Sequence, residues 1–155
     1  MPHLHEDKIK FLEEMARRVA HVGVRHHLDL VILYGSYAKG TQAGDSDLDI
    51  AILRREDVKA QEFMDIVGEL SVAIGEGVSE GIDLVLLAHA DPLLRRLIAR
   101  DGLLLYGDTA NYTEFKALAF RDFMESEDLR GLEDTMIRAK QTLLARQYGT
   151  TFSYA

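Results

Sequence analysis

The sequence contains no cysteine, too few basic residues to balance its acidic ones, and no long apolar run. Without cysteine, the chain can form neither a disulfide framework nor a zinc site built on thiolates. Its 18 lysines and arginines stand against 26 aspartates and glutamates, a formal net charge of −8. Phosphate contacts require clustered basic residues, so we expect no direct nucleic-acid partner.

The apolar segments are short and are spread along the chain. None approaches the length of a membrane-spanning helix, and no N-terminal segment has the form of a signal peptide. We therefore expect no membrane partner and a cytoplasmic location. Hydrophobic residues make up 47% of the 155 residues, which is enough for a substantial core. No linker or repeat interrupts the chain, which predicts a single domain over residues 1–155.

Helical and strand patterns alternate along the sequence, which predicts an α/β fold. Apolar residues recur at helical spacing over 6–24 and 56–74, and strands are predicted at 29–34, 47–54, 82–88 and 103–106. Asp91-Pro92 indicates the start of another helix, which Gly102 ends. Two C-terminal helices are expected at about 112–125 and 129–147, and they could carry a homo-oligomer or hetero-oligomer interface.

The segment from Gly35 to Asp49 is the most informative part of the chain. Gly35 follows the apolar run 30–34 and allows a sharp turn close to a ligand. Ser36 can open a short helix, whose first backbone N–H groups lack internal partners and attract phosphate. Lys39 could reach the β- or γ-phosphate of a nucleotide across this turn, or it could be an ordinary exposed lysine. The segment predicts a phosphate-binding turn.

Asp47 and Asp49 stand at the start of the second predicted strand. Side chains alternate in direction along a strand, so both carboxylates point to one face while their apolar neighbours point to the core. Two adjacent like charges are best tolerated when a cation neutralises them. Carboxylate oxygens suit Mg²⁺, which usually takes one or two protein carboxylates together with substrate phosphates.

Gly35-Ser36, ten intervening residues and Asp47-x-Asp49 form one continuous pattern. In this pattern the chain resembles the minimal nucleotidyltransferases of the DNA polymerase β-like superfamily. The intervening residues 37–40 and Ser46 also resemble those that usually occupy these positions in the family. The resemblance covers about 10–107 and implies a small mixed β-sheet flanked by helices. It also implies a third carboxylate on a later strand. Asp83 can supply it, although alone it could be a strand-entry residue facing water.

The resemblance further implies the chemistry of the site. Asp47, Asp49 and Asp83 would hold two Mg²⁺ ions, and Gly35, Ser36, Lys39 and Ser46 would contact the nucleotide, with ATP as the expected substrate. An acceptor hydroxyl would attack the α-phosphorus and release pyrophosphate, with Asp83 able to take the acceptor proton.

The acceptor is not specified by these residues. Small stand-alone chains of this kind resemble the antitoxins whose partner is a HEPN-domain ribonuclease toxin, which implies transfer of AMP from ATP to a toxin tyrosine. One alternative is nucleotidyl transfer to a small hydroxylated molecule, as in the aminoglycoside-modifying enzymes. Another is a non-catalytic antitoxin that neutralises its partner by binding. The presence of all three aspartates and of Gly35-Ser36 favours catalysis.

Overall fold

A computed structural model describes the backbone of residues 3–44, 46–75 and 81–148, and the side chains of 6–44, 46–75 and 81–146. The helices in these ranges are α1 (His3–Arg25), α2 (Gly35–Lys39), α3 (Ala60–Ile74), α4 (Pro92–Asp101) and α5 (Thr109–Tyr148). The strands are β1 (Leu30–Tyr34), β2 (Leu48–Leu53), β3 (Ile82–Leu86) and β4 (Leu103–Gly107), with a 3₁₀ turn at Leu87–His89. No helix in the described ranges could cross a membrane.

The four strands form one mixed sheet in the order β3-β2-β1-β4. β1 pairs antiparallel with both β2 and β4, whereas β2 pairs parallel with β3. Parallel neighbours need a long crossover, and α3 supplies it between β2 and β3. The predicted mixed sheet flanked by helices is therefore confirmed.

Alternation of side chains gives the sheet two buried faces. Helices α1 and α3 pack on one face, where Val31, Ile50 and Leu70 belong to the larger core cluster. Helices α4 and α5 cover part of the other face, where Ile32 and Ile98 belong to a second cluster. Each fully buried side chain of this size contributes roughly 1.5–3 kcal/mol by leaving water. Asp49 alternates with Leu48 and Ile50, so the sheet places it on the face that carries the second cluster.

The loop after β2 is longer than the sequence predicts. Helix α3 begins at Ala60 rather than at residue 56. The Arg54 side chain explains the difference, because its guanidinium donates hydrogen bonds to the backbone carbonyls of Glu56 and Asp57 at 3.2 and 2.5 Å. These contacts hold the loop outside helical geometry.

The predicted break between two C-terminal helices is wrong. Helix α5 runs without interruption from Thr109 to Tyr148. Ser126 lies between the two predicted segments, and its hydroxyl donates to the Phe123 carbonyl at 2.8 Å. A serine bonded back to the preceding turn remains inside a helix and does not start another one. The two predicted segments are therefore one long helix.

Candidate active site

Three aspartates gather where β1 ends and β2 and β3 begin. Asp49 lies in register with Tyr34 of β1 on one side and with Asp83 of β3 on the other. Neighbouring strands lie about 4.8 Å apart, so the pleat sets Asp49 and Asp83 side by side on one face of the sheet. Asp47 precedes β2 by one residue and is exposed, as is Asp83, whereas Asp49 is partly buried.

The electrostatics of Asp49 show that the three carboxylates interact. Partial burial raises the pKa of Asp49 above its ordinary value, and the negative charges of Asp83 and Asp47 raise it further. Each neighbour disfavours a second negative charge on the cluster. A cation placed between these carboxylates would relieve both the burial cost and the repulsion.

The donor set fits an open magnesium site better than a closed metal cage. Among the described residues, no three acidic or histidine side chains form a ready-made coordination group. Mg²⁺ commonly binds through only one or two carboxylates and completes its shell with waters and substrate phosphates. Asp49 and Asp83, paired across the sheet, offer oxygen ligands of this kind.

Gly35 gives the Asp49 carboxylate room to lie against the turn. Its φ of 70° lies in the left-handed region that favours glycine, and a Cβ at this position would overlap Asp49 Oδ2. Helix α2 starts at Gly35, and Ser36 stands in its first turn. The Ser36 hydroxyl makes no hydrogen bond to any residue that the structure describes. The turn therefore places the start of α2 and the Ser36 hydroxyl beside Asp49, and the first N–H groups of a helix have no partner within that helix.

The structure places the other two predicted nucleotide contacts in local interactions. Lys39, at the end of α2, lies 3.5 Å from Asp101 Oδ2, and its side chain is about half exposed. The Ser46 hydroxyl accepts a hydrogen bond from the Ala43 backbone N–H at 2.9 Å and so closes the loop before β2. Lys39 would have to leave Asp101 to reach a phosphate, so its nucleotide role and that of Ser46 stay predictions.

Tyr34 belongs to the site although no sequence motif selects it. It ends β1 next to Gly35, opposite Asp49. Burial raises the pKa of Tyr34 to about 12, with further contributions from Asp49 and Asp83. The phenol therefore remains protonated at physiological pH and can donate a hydrogen bond beside the carboxylates. Tyr34 can be found once the β1–β2 register is known, because residues paired across neighbouring strands point to the same face of the sheet, and Asp49 points to the site.

Comparison with known proteins agrees with this arrangement. A family model described as Polymerase beta, Nucleotidyltransferase matches residues 19–111, more than half of the chain. The chain belongs to this nucleotidyltransferase family. The matched residues include β1 to β4 and all three aspartates. The chain is thus an enzyme of the minimal nucleotidyltransferase type, and its predicted polymerase β-like core is confirmed.

Three relatives of this nucleotidyltransferase are informative. Two are called Protein adenylyltransferase MntA, one from Shewanella oneidensis and one from Aphanizomenon flos-aquae. They are 29% and 28% identical over 113 and 130 residues, which cover 70% and 77% of this chain and 77% and 83% of theirs. The third is a chain in a toxin–antitoxin crystal structure with AMP-PNP, with a TM-score of 0.63 and 24% identity. That match covers 78% of this chain and 98% of the other, and it shows the same fold.

The raised pKa of Asp49 predicts that its charged carboxylate destabilises the folded nucleotidyltransferase at neutral pH. A carboxyl whose pKa is higher in the folded state than in the unfolded chain stabilises the fold only below its unfolded pKa, and this contribution is lost as pH rises through the folded pKa. At pH 7 without divalent cations, Asp49→Asn is therefore expected to raise Tm. The gain should disappear as pH approaches 4, as thermal unfolding followed by circular dichroism would show.

The matched control for this stability prediction is Asp65→Asn. Asp65 is an exposed carboxylate on α3, which packs on the opposite face of the sheet from Asp49. Its replacement should leave Tm nearly unchanged at pH 7. A Tm for Asp49→Asn below that of the wild type at pH 7 would show that the charged form does not strain this site.

Proposed function

We propose that this chain is a cytoplasmic, single-domain antitoxin that transfers AMP from ATP to a tyrosine of a cognate HEPN ribonuclease toxin. The observation that carries the proposal is the pairing of Asp49 with Asp83 beside the Gly35-Ser36 turn. The relatives called protein adenylyltransferase support an adenylyl donor and a protein acceptor. The toxin–antitoxin complex with AMP-PNP supports ATP and a toxin partner. The HEPN partner and the tyrosine acceptor rest on the family resemblance.

The residues of the turn would bind the triphosphate in this proposal. The first N–H groups of α2 and the Ser36 hydroxyl can donate to the β- and γ-phosphates. Gly35 lets the phosphates and Asp49 approach the same stretch of backbone. Lys39, released from Asp101, would add a positive charge at the far side of the turn. This positioning would hold the α-phosphorus over the carboxylates.

The transfer itself is an in-line displacement. The acceptor oxygen forms a bond to the α-phosphorus, and the bond from that phosphorus to the pyrophosphate bridging oxygen breaks. Pyrophosphate leaves with the electron pair, and the acceptor proton passes to the exposed carboxylate of Asp83. The three aspartates Asp47, Asp49 and Asp83 would hold Mg²⁺, which would neutralise negative charge on the phosphates.

Incubation with α-labelled ATP, Mg²⁺ and the toxin encoded beside this chain tests the proposal. We expect label on a toxin tyrosine, mapped by peptide mass spectrometry, and loss of at least about 99% of it with Asp83→Asn. Asp65→Asn should label the toxin at the wild-type rate. Full neutralisation of the toxin without any label would favour a non-catalytic antitoxin. Label on a small hydroxylated compound but not on the toxin would favour the small-molecule alternative.

A further inference from the structure

The second half of α5 carries an apolar stripe that no other described part of the chain covers. We define the stripe as Leu129, Leu132, Met136, Ala139 and Leu143. Its four larger side chains are 62–71% exposed, and every residue from 127 to 143 is exposed. At 1.5 Å per residue, this stretch extends for about 25 Å along the helix. The body of the protein therefore does not support this part of α5.

A helix in this situation needs a partner. Most helical stability in proteins comes from packing of an apolar face, and a short isolated helix is marginal in water. The stripe residues are separated alternately by three and four positions, an average repeat of 3.5. This repeat keeps the stripe facing another helix in a left-handed coiled coil. The spacing thus indicates a helical partner.

We propose that the stripe pairs with the same stripe of a second copy of this chain in an antiparallel coiled coil. The charges along the helix support this occupant. Residues 125–134 contain five acidic residues and one basic residue, whereas residues 135–146 contain three basic residues and no acidic one. An antiparallel pair sets the acidic part of each helix against the basic part of the other. A parallel pair sets like charges together.

The heptad register makes this charge argument specific. Glu133 and Lys140 each follow a stripe residue directly and so flank the apolar seam. In the antiparallel arrangement, Leu132 packs beside Leu143 of the second copy, and Glu133 then lies beside Lys140 of the second copy. The twofold axis produces this pair twice. In a parallel arrangement, Asp128 would instead lie beside Glu133 of the other helix, which is repulsive.

This interface is independent of the proposed function. The site aspartates lie at the ends of β2 and β3, whereas the stripe lies on the projecting half of α5. Dimerisation can therefore fail while transfer is intact, and the reverse also holds. An antiparallel pair would leave each enzyme body at opposite ends of the coiled coil, so both sites would remain open to acceptors.

Sedimentation equilibrium of the full chain over a range of concentrations tests the dimer. We expect a monomer–dimer equilibrium, and we expect Met136→Glu to raise its dissociation constant about 30-fold or more, as loss of a central apolar contact does. Ile137→Glu is the matched control, because Ile137 is the next residue, is 54% exposed and lies off the stripe. It should leave the dissociation constant within a few-fold of the wild type. A wild-type chain that is monomeric at every concentration overturns the proposal.

A charge exchange then tests the orientation. Glu133→Lys and Lys140→Glu should each weaken the dimer several-fold, and the double variant should restore it, because the pair is reversed in sign but still complementary. Strengthening by Glu133→Lys alone would indicate the parallel arrangement and overturn the antiparallel one. If stripe variants instead abolish binding to the toxin while the free chain stays monomeric, the stripe is a heterologous interface and the proposal is wrong.

Discussion

Replacing Asp49 with asparagine is expected to lower the rate of nucleotidyl transfer by about a thousandfold or more, while the protein remains folded. Asp49 is the central residue of the cluster, because it lies in register with Asp83 and interacts electrostatically with both other aspartates. Asparagine preserves the shape of the side chain and removes its charge. The lower transfer rate would therefore reflect the missing negative charge at the reacting phosphates and not a loss of packing.

The measurement is the initial rate of pyrophosphate release with ATP, Mg²⁺ and the toxin. Asp65→Asn, which removes an equivalent charge from the exposed surface of α3, is expected to stay within about twofold of the wild type. Together with the raised Tm expected for Asp49→Asn, this outcome would be characteristic of a functional site, where activity is gained at a cost in stability. A rate within tenfold of the wild type would exclude Asp49 from the catalytic centre.

Substituting Gly35 with alanine is expected to reduce transfer by about a hundredfold. The residue adopts a φ of 70°, and a Cβ there would overlap the Asp49 carboxylate. The carboxylate must then move by a substantial fraction of its own width, which displaces it from the phosphates. We also expect a loss of about 2–3 kcal/mol in the free energy of unfolding, since backbone strain and the side-chain clash add together.

Gly40 provides a matched control for this substitution. It has nearly the same φ, 74°, but an added Cβ would meet no atom of the described residues within 4 Å. Gly40→Ala should therefore show only the backbone cost of about 1–2 kcal/mol and keep most of the transfer activity. Urea unfolding gives the stability of each variant, and pyrophosphate release gives the rate. Equal activities for the two variants would contradict the importance of the contact between Gly35 and Asp49.

Much of the architecture could be predicted from the sequence because the relevant signals are local. The apolar run before Gly35 and the alternation around Asp49 give two strands and the direction of the carboxylates without any long-range information. The start of α4 at Asp91-Pro92 is equally local, and the structure confirms it with a hydrogen bond from the Leu94 N–H to Asp91 Oδ1 at 2.9 Å. These elements depend on backbone preferences that each short segment carries by itself.

The remaining features depend on which segments meet in space. The contact of Gly35 with Asp49 follows from the β1–β2 register, and the ion pair of Lys39 with Asp101 follows from the packing of α2 near α4. Neither can be derived from sequence spacing. The break predicted between residues 125 and 129 is wrong because the polar residues there do not end the helix, and the Ser126 hydroxyl donates to the Phe123 carbonyl within it. The catalytic roles of Asp47, Asp49 and Asp83 remain predictions until their variants are measured.

The most direct test of the central claim compares ATP labelled at the α-phosphate with ATP labelled at the γ-phosphate, in the presence of Mg²⁺ and the toxin. Attack at the α-phosphorus predicts that only the α-label becomes attached to the toxin and that the γ-label leaves in pyrophosphate. Chelation of Mg²⁺ and the Asp49→Asn substitution should each abolish the attachment. Transfer of the γ-label to the toxin, or α-label transfer that survives both treatments, would contradict nucleotidyl transfer at these aspartates.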